Sequence, residues 1–326
     1  MTRVSALLLV ALLACGGKST PPPTAPLPAD QPTGAVAQTE PKQEEPPAPE
    51  PIQPIDLKTP PMEVTVKLVN GGKGKKAPLV LASTAGAKQQ VELALDFAAK
   101  QDAPAEAGGK QESSVPTIVL TGEAETKAAG ADGTEYVMTV SSTDAREVPG
   151  GKVPVDKLKE ALANMKGLTI SGKVAPNGTQ SGDTSIHLET PDEASGEVVQ
   201  VIQNALPQFP YLPKEPVGVG AKWQATATTT LMGQLPVTHT TDYELVARKG
   251  NTWTIKGKTK VTGKEQDMGG SKVSGIQGTG TQEATLTDGA LYPQMKTSLE
   301  TQFTVSAQGQ SMTIALKTGG VVTPKP

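Results

Sequence analysis

Between residues 62 and 317, apolar and polar side chains alternate with period two, and this pattern limits the possible folds more than any other feature. Val91, Leu93, Leu95 and Phe97 alternate with Gln90, Glu92, Ala94 and Asp96. Tyr136, Met138 and Val140 alternate with Glu135, Val137 and Thr139, and Ile186 and Leu188 with Ser185, His187 and Glu189. Trp253 and Ile255 alternate with Thr254 and Lys256. Successive strand residues point to opposite faces, so each run specifies a strand with one buried and one wet face. The same reasoning predicts strands at 64–69, 79–82, 117–125, 168–173, 223–231, 237–247, 279–287, 297–306 and 312–317. Threonine is frequent on the wet faces, where its branched side chain suits a pleated surface. Asp132-Gly133, Asn177-Gly178 and Asp288-Gly289 separate such runs, and these dipeptides favour tight hairpins. Asn177-Gly178-Thr179 also matches a glycosylation acceptor; it is read here as turn chemistry.

Two segments break the alternation. Residues 154–166 place Val155, Leu158, Leu162 and Met165 on one stripe, with Pro154 suited to the first turn and Gly167 to the C-terminal cap. Residues 192–206 do the same with Val198, Val201, Ile202, Ala205 and Leu206, before Pro207. Each amphipathic helix needs an apolar surface to cover. The expected fold is mainly β: a strongly curved antiparallel sheet or half-barrel with both helices on its concave side. Two packed β-subdomains divided near Pro149 are the alternative arrangement.

The N-terminal fifth is of another kind. Arg3 precedes an unbroken apolar run over residues 6–13. That run is too short for a spanning helix, which needs about 20 apolar residues. It reads as a targeting segment. Leu12-Leu13-Ala14-Cys15 resembles the lipobox of bacterial lipoproteins, in which the cysteine is lipidated and becomes the first residue of the mature chain. Cys15 is the single cysteine of the sequence, so no intrachain disulfide is available. Gly16 in place of aspartate implies, by the same resemblance, sorting to the outer membrane. Nearly half of the 29 prolines fall between Pro21 and Pro61, and Phe, Tyr and Trp are absent there. Such a stretch cannot bury enough apolar surface to offset its ordering entropy. The expected organisation is a signal peptide over 1–14, a lipidated cysteine and disordered proline-rich tether over 15–61, and a β-rich domain over 62–326.

The charge excludes some partners. The chain carries a formal charge of −3. Lys18 and Lys42 stand against Asp30, Glu40, Glu44, Glu45, Glu50 and Asp56 in residues 16–57, so the excess of acid lies in the tether and the chain from residue 58 onward is formally neutral. It has no field to steer a nucleic acid.

The candidate chemistry is thin. Asp183, Ser185 and His187 imitate a triad, but residues i and i+2 on a strand have Cα atoms roughly 7 Å apart. That is too far for the nucleophile–base bond a triad requires, so a solvated polar face is expected. His239, among threonines, is read as a surface strand residue. Gly71-Gly72-Lys73-Gly74-Lys75-Lys76 lacks the following helix of a phosphate-cradling loop and reads as a flexible hairpin loop. Gly218-Val219-Gly220 precedes a strand and is no dinucleotide fingerprint. Phe209 and Tyr211 are expected to pin a connection onto the core. With two histidines in the whole chain, a histidine-built metal site would need carboxylate help; no constellation supports a catalytic group, metal or cofactor, and the chain reads as a non-enzyme.

Residues 206–223, Leu-Pro-Gln-Phe-Pro-Tyr-Leu-Pro-Lys-Glu-Pro-Val-Gly-Val-Gly-Ala-Lys-Trp, resemble a segment recurrent in uncharacterised lipoprotein families common in myxobacteria. There a helix ends in a proline-rich run, and a Pro-x-x-Pro-Val-x-Val-Gly-x-x-Trp element starts a long strand. The expected architecture also resembles lipoprotein carriers of Gram-negative envelopes. That likeness implies an envelope lipoprotein that binds a hydrophobic or lipid ligand in a helix-lidded β cavity. The alternative is a non-catalytic structural or assembly lipoprotein of the outer membrane with an envelope protein as partner. Either reading places the chain at the membrane through the lipid on Cys15.

Overall fold

The structure, a computed structural model, describes residues 53–105, 109–192, 194–231 and 235–325. The expected signal peptide, Cys15 and the proline-rich stretch up to residue 52 lie outside the described residues. Sixteen strands and two helices follow in the order β1 Ile55–Thr59, β2 Val64–Asn70, β3 Lys73–Ala77, β4 Lys88–Asp102, β5 Lys110–Gly130, β6 Gly133–Arg146, α1 Val155–Leu162, β7 Thr169–Val174, β8 Thr184–Leu188, α2 Ser195–Ala205, β9 Val217–Val219, β10 Lys222–Leu231, β11 Leu235–Lys249, β12 Thr252–Gly263, β13 Gln266–Met268, β14 Ser271–Thr287, β15 Gln294–Ala307 and β16 Gln310–Pro324.

One antiparallel sheet holds 14 of these strands, in the order β1-β8-β7-β6-β5-β4-β16-β15-β14-β12-β11-β10-β2, with β13 paired to β14. It is not closed into a barrel. Two local meanders, β4 to β8 and β10 to β16, are joined where the last strand, β16, pairs with β4 from Thr313↔Asp102 to Pro324↔Val91. This continuous sheet replaces the alternative of two subdomains split near Pro149. The two ends of the order, β1 and β2, are neighbours in sequence, linked by residues 60–63 alone.

The turns follow the expected chemistry. Asp132-Gly133 closes the β5–β6 hairpin, whose last pair is Gly130↔Gly133. Gly178 adopts φ 82° and donates its N–H to Ala175 O at 2.9 Å, while Asn177 Oδ1 accepts from Thr179 Oγ1 at 2.8 Å. Helix α2 begins with a reciprocal pair: Ser195 N–H donates to Asp192 Oδ1, and Asp192 N–H donates to Ser195 Oγ, both at 2.8 Å. Hydrogen bonds from Ser195 and then Asn164 hold the Asp192 carboxyl below its usual range. Leu158 and Leu162 of α1, and Val198, Ile202 and Ala205 of α2, are buried, as the stripes predict; Val199 is buried as well, while Val201 and Leu206 are half-buried.

Three expectations change. The sheet begins at Ile55, inside the stretch assigned to the tether. Ile55 and Leu57 alternate with Asp56 and Lys58, but the surrounding prolines hide so short a run. Residues 79–82 form no strand: Leu79 and Leu81 are buried as loop anchors, and Leu81 N–H donates to Pro176 O at 2.8 Å. The glycine–lysine segment is no free loop either. Lys73–Ala77 pairs with Val217–Val219 in a separate two-stranded sheet. A Cβ at Gly72 would strike the Gly218 carbonyl, and one at Gly218 the Lys73 carbonyl, so this crossing needs glycine on both sides.

Candidate functional site

The proline-rich run between α2 and the Pro-x-x-Pro-Val element acts as a structural pin. After α2, Pro207 lies against Gly320 of β16, and the Gln208 carbonyl accepts from Gln282 Nε2 at 2.8 Å. Phe209 packs against Tyr136 and Tyr292, with ring centroids 6.1 and 5.4 Å away. Tyr211 O accepts the Trp223 indole N–H at 2.7 Å in a buried position. Trp223 in turn stacks on Tyr243 at 5.6 Å and 17°. Tyr243 leans over its cross-strand partner Gly257, where a Cβ would sit 2.8 Å from the ring. The glycine leaves room for the ring, the usual aromatic–glycine pairing in sheets. Phe209 and Tyr211 therefore pin the connection, as expected.

The imitation triad is not assembled. His187 Nε2 meets Glu189 Oε2 at 3.0 Å and its Nδ1 lies 3.6 Å from Asp56 Oδ1 on β1. Ser185 instead stands opposite Lys58, and Asp183 precedes the strand. The arrangement ties an edge strand down. His239 lies between Ala227 and Val261 on the inward-facing row of β11, which carries Val237, Thr241 and Tyr243. It is half-buried, not a surface residue, and burial lowers its pKa. Among the described residues no three His, Cys, Asp or Glu side chains gather as metal ligands. No described helix is long and apolar enough to cross a membrane.

The outward face is a lattice of paired charges. Lys222, Glu244, Lys256, Glu283 and Lys296 stand opposite one another across β10, β11, β12, β14 and β15. Lys222–Glu244 and Lys256–Glu283 approach to 3.6 Å. Arg146 and Lys325 both reach Glu92, at 2.9 and 3.0 Å, and their hydrogen bonds hold its carboxyl below the usual range. Exposed pairs of this kind contribute about 0–1 kcal/mol each. Their consequence is for solvation: a transmembrane barrel carries an apolar outward band, and this face is wet.

Two apolar clusters fill much of the inward face. One apolar cluster joins Leu93, Met138 and Ile170 of the first meander, Leu162 and Ile202 of the helices, and Trp223, Ile255, Leu286 and Val322 of the second meander. A second, smaller cluster gathers Leu235, Val237, Val261, Val273, Ile276, Phe303 and Ile314. Two depressions open to solvent. One of about 310 Å³ lies among Ser83, Gln89, Thr126 and Gly289, and one of about 350 Å³ at the β15–β16 hairpin tip. Lys88, in the first, is paired with Glu123, and Asp288 with the Trp253 indole.

Two strands end the large sheet. β1 pairs with β8 alone and β2 with β10 alone among the described residues. Sequence patterning cannot mark these strands as edges, because pairing order is a property of the folded chain.

A protein-family model described as a family of unknown function (DUF6263) matches residues 201–290, from the second half of α2 through β14. That span contains the proline-rich run, Trp223 and Tyr243. No curated protein matches the chain.

Proposed function

We propose that the chain is an envelope lipoprotein, anchored through a lipid on Cys15, whose β domain is a non-catalytic module that binds a protein partner. The carrying observation is the pairing of a largely filled inward face with open strand edges. A sheet whose inner surface is occupied by its own helices and proline run offers partners its backbone edges.

The sheet is strongly curved in this reading, with the helices on its concave side. Thirteen strands in line, about 4.8 Å apart, would put β1 and β2 roughly 58 Å from one another in a flat sheet. The link from Thr59 to Val64 spans at most about 18 Å. The sheet must therefore roll until its ends nearly meet. A ring contact agrees: Tyr136 of β6 and Tyr292, in the loop before β15, lie 5.8 Å apart although β6 and β15 are four steps apart in the pairing order.

A second reading, a carrier of an acyl chain, has one observation in its favour. Between the two apolar clusters runs a half-exposed inward band containing Phe97, Ala99, Thr259, Gly280, Leu299 and Leu316. Native mass spectrometry of the mature chain, extracted from membranes, separates the two. The protein-binding reading expects the polypeptide plus its covalent lipid and nothing more. A lipid-sized adduct lost on denaturation would replace it with the carrier. Replacing Cys15 with alanine should move the chain from the membrane to the soluble fraction; retention in the membrane would refute the anchor.

A further inference from the structure

The two edges are not equivalent. β1 is five residues long, carries Asp56 and Lys58, and is flanked by Pro54, Pro60 and Pro61. Short length, charge and proline are the devices by which proteins protect an edge from further pairing. Asp56 also faces His187 of β8. β2 has seven residues, no proline within it, and a run of Val64, Thr65, Val66, Leu68 and Val69 broken only by Lys67. Its inward-facing Val64, Val66 and Leu68 touch the core yet stay half-exposed. Val69 is 69% exposed, the highest value among the exposed large apolar residues. Such an edge presents free N–H and C=O groups to an extended chain, and half-covered apolar side chains that the added strand would bury.

We propose that the free edge of β2 (Val64–Asn70) is the docking edge for an extended strand of a partner protein, one that brings a carboxylate opposite Lys67. This deepens the protein-binding reading and rests on it. The carboxylate follows from charge. Lys67 stands at the centre of β2, opposite Gln224, whose side chain is engaged with Asp242. Among the described residues Lys67 has no acidic partner, whereas Lys222 and Lys256 of the neighbouring ladder do. The same lysine argues against a second copy of this chain. A symmetric antiparallel pairing of two β2 strands centred on Lys67 would set the two ammonium groups directly opposite, which is unfavourable.

The test uses the mature chain and two synthetic seven-residue peptides that alternate valine and threonine, one with a central glutamate and one with a central lysine. Fluorescence anisotropy should show the glutamate peptide binding about five- to tenfold more tightly than the lysine peptide. Lys67→Glu should reverse that order without altering the fold. Amide exchange should slow at every other residue of 64–70 on binding, the signature of a new strand on one side of β2. Binding of neither peptide, equal binding of both, or an unchanged order in the Lys67→Glu variant would overturn the proposal. So would dimerisation of the wild-type chain with protection at β2, since the occupant would then be a second copy. A photo-crosslinker at Thr65 or Val69, compared with one at Lys260 on the central β12, separates this from the broader reading. A partner captured from Lys260 alone would leave a protein-binding module but remove β2 from its interface.

Discussion

The chain has two tryptophans, and the same substitution at each should have unequal consequences. Trp223 donates to the Tyr211 main-chain carbonyl at 2.7 Å, and both residues are buried. Trp253 donates at 3.1 Å to the carboxylate of Asp288, an exposed residue, while Arg248 lies 4.0 Å above the ring. Phenylalanine removes the indole N–H and about 40 Å³ at either site, and the cavity costs about 1 kcal/mol. At 223 the orphaned carbonyl stays in the core, which adds about 1–3 kcal/mol. At 253 the carboxylate turns to water, and only the net bond, about 0.5–1.5 kcal/mol, is lost. Trp223→Phe should therefore cost about 2–4 kcal/mol and Trp253→Phe about 1.5–2.5 kcal/mol. Guanidinium unfolding followed by far-UV circular dichroism measures both, because the signal is dominated by the backbone of the sheet, which both variants keep. The discriminating quantity is the difference: Trp223→Phe should be the costlier by about 1 kcal/mol. Equal costs, or the reverse order, would mean that the bond to Tyr211 does not pin the proline run.

A chain beginning at residue 62 should be less stable by about 2 kcal/mol than one beginning at residue 53, because it loses half-buried Ile55 and Leu57; equal denaturation midpoints would show β1 to be idle. Burial pushes the phenols of Tyr136, Tyr211, Tyr243 and Tyr292 up, that of Tyr136 to about 12. The unfolded chain releases these protons near pH 10 and the native chain keeps them. Stability should be level below that point and fall above it by about 1.4 kcal/mol per pH unit for each tyrosine. Tyrosinate absorbance should appear together with loss of circular dichroism, and a smooth rise centred near pH 10 in a folded chain would contradict the burial. Gly257→Val should force the Tyr243 ring aside and cost about 1–3 kcal/mol, read from the denaturation midpoint. Lys256→Ala, on the wet ladder, should change the same midpoint by less than about 0.5 kcal/mol.

What sequence could reveal depended on how local the determining physics was. The alternation around Leu93, Met138 and Trp253 is a property of neighbours, and it located strands whose buried faces are those residues. Asp132-Gly133 and Asn177-Gly178 set their own backbone conformation, so their hairpins were legible as well. Helix α2 was bounded by Asp192 and Pro207, the first through its bonds with Ser195 and the second through its missing N–H. β1 was missed because two apolar residues among prolines carry too little pattern. β3 was missed because Lys73–Ala77 has no apolar alternation at all. Its pairing with Val217–Val219 depends on the close approach of Gly72 and Gly218, residues distant in sequence.

The candidate edge lies beyond the reach of such patterns for a related reason. Lys67 reads in sequence as an ordinary lysine on the wet face of a strand, no different from Lys256 or Lys258. Those two sit in β12, with strands on both sides and carboxylates within the neighbouring registers. Lys67 sits in the strand that ends the sheet, because residues 60–63 send the chain from one end of the pairing order to the other. The twelve antiparallel steps between β1 and β2 also leave those two strands pointing the same way. The link then runs on from the end of β1 into the start of β2, so the second strand continues past the first and does not fold back onto it. An antiparallel hairpin, the usual closure for so short a connection, is thereby unavailable. The same four residues that join the two ends of the pairing order thus keep β1 from folding back over β2.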